Sequence, residues 1–132
     1  MGQEYLIDTN VLIDAQAKRL PENGLRFMAE IIDKNFTISF ITYIISFITY
    51  IEFLGYKDPT KETEDFIALA DMIEMNKNVI NASINVRKSV SIKLPDAIIA
   101  ATALVNDLTL ITRNIDDFKN IDGIKLINPW EL

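Results

Sequence analysis

Five residues carry oxygens in places where a fold could gather them: Asp8, Glu52, Asp96, Asn114 and Asp117. Asp8 follows the apolar run Tyr5-Leu6-Ile7. Asp96 follows Leu94-Pro95 at the opening of an alanine-rich segment, where a helix dipole would stabilise an anion. Glu52 lies inside Tyr50-Ile51-Glu52-Phe53-Leu54, and a carboxylate in so apolar a stretch is costly unless paired, protonated or metal-bound. Asn114 and Asp117 come just after Leu108 to Ile111. Each alone has a plainer reading as a turn or helix cap. Together they place acids or amides after three predicted strands and at one helix start, positions that converge at one end of a parallel sheet. Carboxylates gathered without Lys or Arg partners repel one another and take up protons or hard cations, and oxygen-only ligands select Mg²⁺ or Mn²⁺.

The rest of the composition narrows the chemistry. The chain has 132 residues, 49% of them hydrophobic, which predicts a single domain spanning 1–132 with one real core. It contains no cysteine and no histidine. That removes disulfides, Cys-ligated zinc, and both Ser-His-Asp and Cys-His catalysis. The net charge of −6 argues against nucleic-acid binding, since phosphates want a basic surface, but bound cations would reverse the sign locally. The N-terminus lacks the basic start of a secretory signal. The longest apolar run, Phe36 to Ile51, is shorter than the ~20 residues a membrane span needs. These features predict a soluble cytoplasmic protein with no membrane partner.

Short apolar strands and amphipathic helices must position the acids. Glu4 to Ile7 reads as a buried strand, Thr9-Asn10 opens a helix from Val11 to about Ala17, and Pro21 starts another to about Lys34, with Leu25, Met28, Ala29 and Ile32 as its stripe. Phe36 to Thr42 is β-branched and aromatic, which predicts a strand. Asp58-Pro59-Thr60 opens a helix to about Asn76, with Phe66, Leu69, Ala70 and Ile73 as its apolar face. Asn81 to about Val90 reads as helix. Pro95 is expected as the first helical residue of Pro95 to Val105. Leu108 to Thr112 reads as strand, Ile115 to Lys119 as a helical turn, and Lys125 to Asn128 as a last strand. Helices between short strands mean a parallel sheet covered on both faces.

The segment Ile38-Ser39-Phe40-Ile41-Thr42-Tyr43-Ile44 is followed at once by the same heptad, Ile45 to Ile51. Two copies of seven residues match no solenoid, so this is a tandem duplication over 38–51. As one strand, Phe36 to Ile51 would run roughly 50 Å at ~3.3 Å per residue, too long for a domain of this size. Two arrangements remain. Either the following helix gains two N-terminal turns and Glu52 moves about 10 Å along its axis, or the helix still starts near Thr49 and the first copy is accommodated elsewhere. Thr49-Tyr50-Ile51-Glu52 fits a capping box, which favours the second. The seven-residue phase favours the first.

These residues resemble the PIN-domain family, and in particular the VapC-type toxins of bacterial toxin–antitoxin pairs. The matching segments are Leu6-Ile7-Asp8-Thr9-Asn10-Val11-Leu12-Ile13, Ile48-Thr49-Tyr50-Ile51-Glu52, Leu94-Pro95-Asp96-Ala97-Ile98-Ile99-Ala100-Ala101-Thr102-Ala103, and Leu110-Ile111-Thr112-Arg113-Asn114 with Asp117-Phe118, closing on Asn128-Pro129-Trp130. Each is weak alone; in order, over nearly the whole chain, they are specific. The resemblance implies a three-layer α/β/α fold around a parallel sheet and a metal-dependent endoribonuclease. Asp8, Glu52 and Asp96 match the family's acidic metal positions. The fourth position, often Asp, is Asn114 here, and Asp117 stands ready to support or replace it. Thr9, Asn10 and Thr112 match polar residues lining such sites. A homodimer and a cognate antitoxin are the implied partners. The duplicated heptad, just before Glu52, departs from the family pattern.

The mechanism this suggests is in-line hydrolysis of a single-stranded or loop RNA, tRNA among the candidates, with Mg²⁺ or Mn²⁺ held by Asp8, Asp96 and Glu52. Arg113, Lys57 and Lys93 are the candidate phosphate contacts. Two other readings compete. A catalytically silent interaction module of the same fold would suit Asn114, the duplication and the acidic charge. A receiver-type phospho-acceptor would need a second acid beside Asp8 and a Lys after a late strand, and has neither.

Overall fold

A computed structural model describes residues 4–36, 43–55 and 60–132. Five strands form one sheet: β1 (Tyr5–Ile7), β2 (Tyr43–Ser46), β3 (Ala70–Ile73), β4 (Thr109–Ile111) and β5 (Lys125–Ile127). Their order is β3-β2-β1-β4-β5, and every neighbouring pair is parallel. Leu6 is in register with Ile44 on one side and with Leu110 on the other.

Strand alternation sends successive side chains to opposite faces, so β1, β2, β3 and β4 each feed two cores. Leu6 and Leu110 join one core with Ala97, Ile99, Ala100, Ala103 and Phe118. Ile7, Ile45 and Ile111 join the other with Val11, Leu12, Met28 and Phe53. The first core is covered by α5 (Lys77–Ser89), α6 (Leu94–Val105) and α7 (Ile115–Phe118). The second is covered by α1 (Thr9–Gln16), α2 (Glu22–Phe36), α3 (Phe47–Gly55) and α4 (Lys61–Ala68). The result is the three-layer α/β/α arrangement expected from the sequence.

The differences from sequence expectation are local. Helix α4 stops at Ala68, and Ala70–Ile73 is strand β3, not more helix. Leu69, Ala70 and Ile73 fit a helical stripe, but β2 offers β3 a full ladder from Tyr43↔Ala70 to Ser46↔Ile73, and pairing overrides periodicity. Helix α2 begins after Pro21 as expected, but Ala29 is exposed and Ile31 packs on the core. Helix α6 begins one residue early, at Leu94.

The expected strand at Phe36 to Thr42 is corrected at its first residue, since Phe36 is the last of α2, and 37–42 lie outside the described residues. Strand β2 straddles the junction of the two heptads: Tyr43-Ile44 ends the first and Ile45-Ser46 begins the second. Helix α3 then starts at Phe47, where the Ile48 amide donates to Ser46 Oγ at 3.2 Å. The predicted capping box at Thr49 does not form, because Thr49 already lies within the helix.

Candidate functional site

Going outward from β1, the chain visits β2 then β3 on one side and β4 then β5 on the other. The reversal makes the carboxyl ends of β1 and β4 a switch point, the place where open parallel sheets form sites. Asp8 stands there. It follows β1 directly, its amide donates to the Ile111 carbonyl at 3.0 Å, and it is only 5% exposed. Both carboxylate oxygens are held. The Thr9 amide donates to Oδ1 at 2.8 Å, making Asp8 the N-cap of α1, and the Thr112 hydroxyl donates to Oδ2 at 2.9 Å from the end of β4. Thr112 is itself fully buried, and its Oγ1 accepts from the Asn114 amide at 3.1 Å.

Other acids face this point from separate elements. Asp96 lies in the first turn of α6. Its helix comes close to the sheet because Ala97, Ala100, Ala101 and Ala103 are small and each is at most 1% exposed. Glu52 comes from α3, and Thr9 Oγ1 lies 2.6 Å from its Oε1. Burial raises the Asp8 pKa to about 6 against the lowering pull of Thr112 and the Thr9 amide; Asp96 and Glu52 raise it further. Burial likewise raises Asp96, with Asp117 and Glu52 adding to the shift and Lys93 opposing it. Asp8, Glu52, Asp96 and Asp117 thus share one electrostatic neighbourhood.

The rim is more open. A cleft of about 370 Å³ is lined by Ser91, Ile92, Lys93, Asp96 and Asp117. A second, of about 400 Å³, includes Arg113, Asn114, Asp117 and Asn128. Asp117 borders both, with Lys93 on one flank and Arg113 on the other. The Arg113 guanidinium carbon sits 4.6 Å from the centre of the Trp130 ring, a cation–π contact that sequence reading missed. A larger cavity, about 560 Å³, is mainly apolar and contains none of these acids.

Asn114 is exposed at the start of α7, and its side chain makes no capping bond there. Asn10 is exposed on α1. Lys57 lies outside the described residues. Thr49, expected only as a helix cap, is instead fully buried between α3 and α1; its i, i+3 spacing to Glu52 was the available signal.

The donor set is all oxygen, its acids raise one another's proton affinity, and none of them is in a salt bridge among the described residues. By chemistry this suits a hard divalent cation. As placed, no three carboxylates among the described residues stand close enough together to hold one ion.

A parallel sheet with helices on both faces and an acidic pocket at its switch point defines a class of small α/β domain. Within that class, the family model of the PIN domain matches residues 5–124, and this chain belongs to that family. Solved structures agree. A toxin–antitoxin complex from Klebsiella pneumoniae contains a chain 30% identical, with TM-score 0.72, covering 98% of this chain and 100% of that one. FitAcB from Neisseria gonorrhoeae superposes with TM-score 0.75 at 22% identity, covering 97% and 99% of the two chains. VapBC2 from Rickettsia felis, bound to a promoter DNA fragment, gives TM-score 0.73 at 22% identity over 96% and 98%. The search of curated proteins found no match.

Proposed function

We propose that this chain is the nuclease toxin of a toxin–antitoxin pair, a divalent-metal-dependent endoribonuclease that cuts single-stranded or loop RNA in the cytoplasm. The observation that carries the reading is Asp8: a buried carboxylate at the switch point, pinned at both oxygens, with Asp96 and Glu52 pressing their charge on it. Such a group needs a positive partner, and no Lys or Arg forms a salt bridge with it among the described residues.

Asp8, Asp96 and Glu52 would hold Mg²⁺ or Mn²⁺, with Asp117 and Asn114 at the rim. A divalent cation there supplies Lewis acidity and offsets the charge that builds on the phosphate. The chain's own groups do the rest. Thr112 and the Thr9 amide keep Asp8 in one orientation. Lys93 and Arg113 flank the acids on opposite sides, where the phosphates of an extended strand would pass. Trp130 holds Arg113 as a preset charge. Paired RNA would hide its base edges, so an unpaired segment fits an open rim better.

The antitoxin partner is supported by the 30% identical Klebsiella relative, whose structure is of a toxin–antitoxin complex. The test is cleavage of RNA by purified protein with Mg²⁺ or Mn²⁺. Activity should vanish in EDTA and fall by at least about a hundredfold in Asp8→Asn. An Asp8→Asn variant as active as wild type would remove Asp8 from the reaction.

A silent PIN-fold interaction module is the second reading. It is favoured by the amide at Asn114 and by the lack, among the described residues, of three carboxylates placed to hold one ion. Calorimetric titration separates the two, since a silent site takes up no Mn²⁺ at micromolar to millimolar concentration.

A further inference from the structure

Thr49 is fully buried in α3, one turn before Glu52. A buried hydroxyl needs a partner, and in a helix it usually donates to the carbonyl four residues back. Ser83 and Thr102 do so here, donating to the Val79 and Ile98 carbonyls at 2.7 Å. Thr49 reaches across to α1 instead, where its Oγ1 lies 3.0 Å from Thr9 Oγ1. Thr9 Oγ1 in turn lies 2.6 Å from Glu52 Oε1.

Counting protons gives this chain a direction. A hydroxyl has one proton to donate, and Thr9 Oγ1 has two oxygens within reach. The 2.6 Å contact is the shorter of the two, so Thr9 spends its proton on Glu52. The 3.0 Å contact must then be filled by the proton of Thr49. The order is Thr49 to Thr9 to Glu52, and each bond in such a chain polarises the next.

We propose that Thr49 is a positioning residue of the acidic site: by donating to Thr9 it keeps that hydroxyl's proton on Glu52 and so fixes the one acid of α3 relative to Asp8 and Asp96. Glu52 is exposed and its side chain is long, so without this tether its carboxylate would spread over several rotamers. The duplication makes the assignment sharper. Thr42 is the equivalent of Thr49 in the first heptad, yet three residues after it comes Ile45 rather than an acid. Only the threonine of the second copy has an acid three residues on.

The proposal rests on the metal-site reading above, and the test separates the two. Mn²⁺ is titrated calorimetrically into wild type, Thr49→Val, Thr49→Ser, Thr9→Val and the double valine variant. Thr49→Val keeps the shape and should bind about tenfold more weakly, the scale of losing a ligand's outer hydrogen bond. Thr49→Ser should bind like wild type. Because Thr49 acts through Thr9, Thr49→Val should cost nothing further in the Thr9→Val background. Three results overturn the proposal: wild-type affinity in Thr49→Val, a serine variant as weak as the valine, or losses that multiply in the double variant. If wild type takes up no Mn²⁺, the metal reading fails, and metal-free crystal structures of Thr49→Val and Thr49→Ser decide the tether. The Thr9–Glu52 contact should break in Val and persist in Ser; a contact kept in both overturns it.

Discussion

Asp8 holds its carboxylate in a setting that favours the neutral acid. Folding raises its pKa from 3.8 to about 6, so the folded state binds this proton more tightly than the unfolded chain does. The stability that follows is fully present below about pH 4 and is lost as the pH climbs through about 6. At pH 7.5 the ionised group costs about 3 kcal/mol, an order-of-magnitude figure for a shift of this size. Asp8→Asn removes the charge but keeps an oxygen to cap the Thr9 amide. In EDTA at pH 7.5 the variant should therefore melt roughly 5–10 °C above wild type, and the gap should close near pH 4. Thermal unfolding at the two pH values checks this; a variant that melts lower at pH 7.5 would mean that Asp8 is stabilised in the fold as a carboxylate. The same substitution should abolish cleavage, so one residue would trade stability against function. Asp8 and Asp96 were legible in sequence because each sits at a boundary: one after an apolar run, the other after a proline. Thr49 was not, because a threonine ahead of a glutamate looks like a cap until the helix start is known.

Elements are legible where a single force decides them. Helix α6 was plain from Pro95 and its alanines, and β1 and β4 from apolar runs of helix-breaking length. Strand β3 was not, since the preference of Leu69 to Ile73 is local and helical while the ladder that wins belongs to β2. Close approaches between elements are equally hidden, and Gly24 is one. A Cβ built there would collide with the backbone carbonyl oxygen of Pro129, so α2 lies against the C-terminal turn Pro129–Glu131 only because residue 24 has no side chain. Alanine usually strengthens a helix. Here Gly24→Ala should weaken the protein by about 1–3 kcal/mol, the range for overpacking, because the obstacle is backbone and cannot rotate away. Urea unfolding measures it, and a stability equal to or above wild type would show that the turn yields freely. Because Trp130 lies in that turn beneath Arg113, the same variant should also disturb one flank of the acidic rim.

At the scale of the whole molecule, two features remain: an apolar face outside the acidic pocket and the repeated heptad. Met75, Ile80, Ile84 and Leu94 are 58%, 42%, 46% and 55% exposed and border the 560 Å³ cavity. Leu94 is two residues from Asp96, so this face adjoins the acidic site. We expect a dimer through it, and Ile84→Glu should shift sedimentation from dimer to monomer at micromolar concentration; an unchanged dimer would place the interface elsewhere. The heptad allows a cleaner test of how the fold tolerates change. Deleting Ile38–Ile44 leaves every residue from Ile45 onward in sequence, so α3 keeps Thr49 and Glu52 where they are. Strand β2 would then draw Phe36 and Thr37 into the places of Tyr43 and Ile44. Thr37 would replace Ile44, a partly buried member of the first core, and α2 would release its last turn to make the connection, since the six residues between α2 and β2 are fewer than the seven removed. Losing part of an isoleucine's burial costs about 1 kcal/mol. The shorter connection returns only a fraction of that, since loop entropy varies slowly with length. The deletion variant should thus fold, melt a few degrees lower, and bind Mn²⁺ as wild type does. Calorimetry and thermal unfolding of the same sample read both quantities. A folded variant that has lost Mn²⁺ would mean that a single copy of the heptad does not suffice to position Glu52.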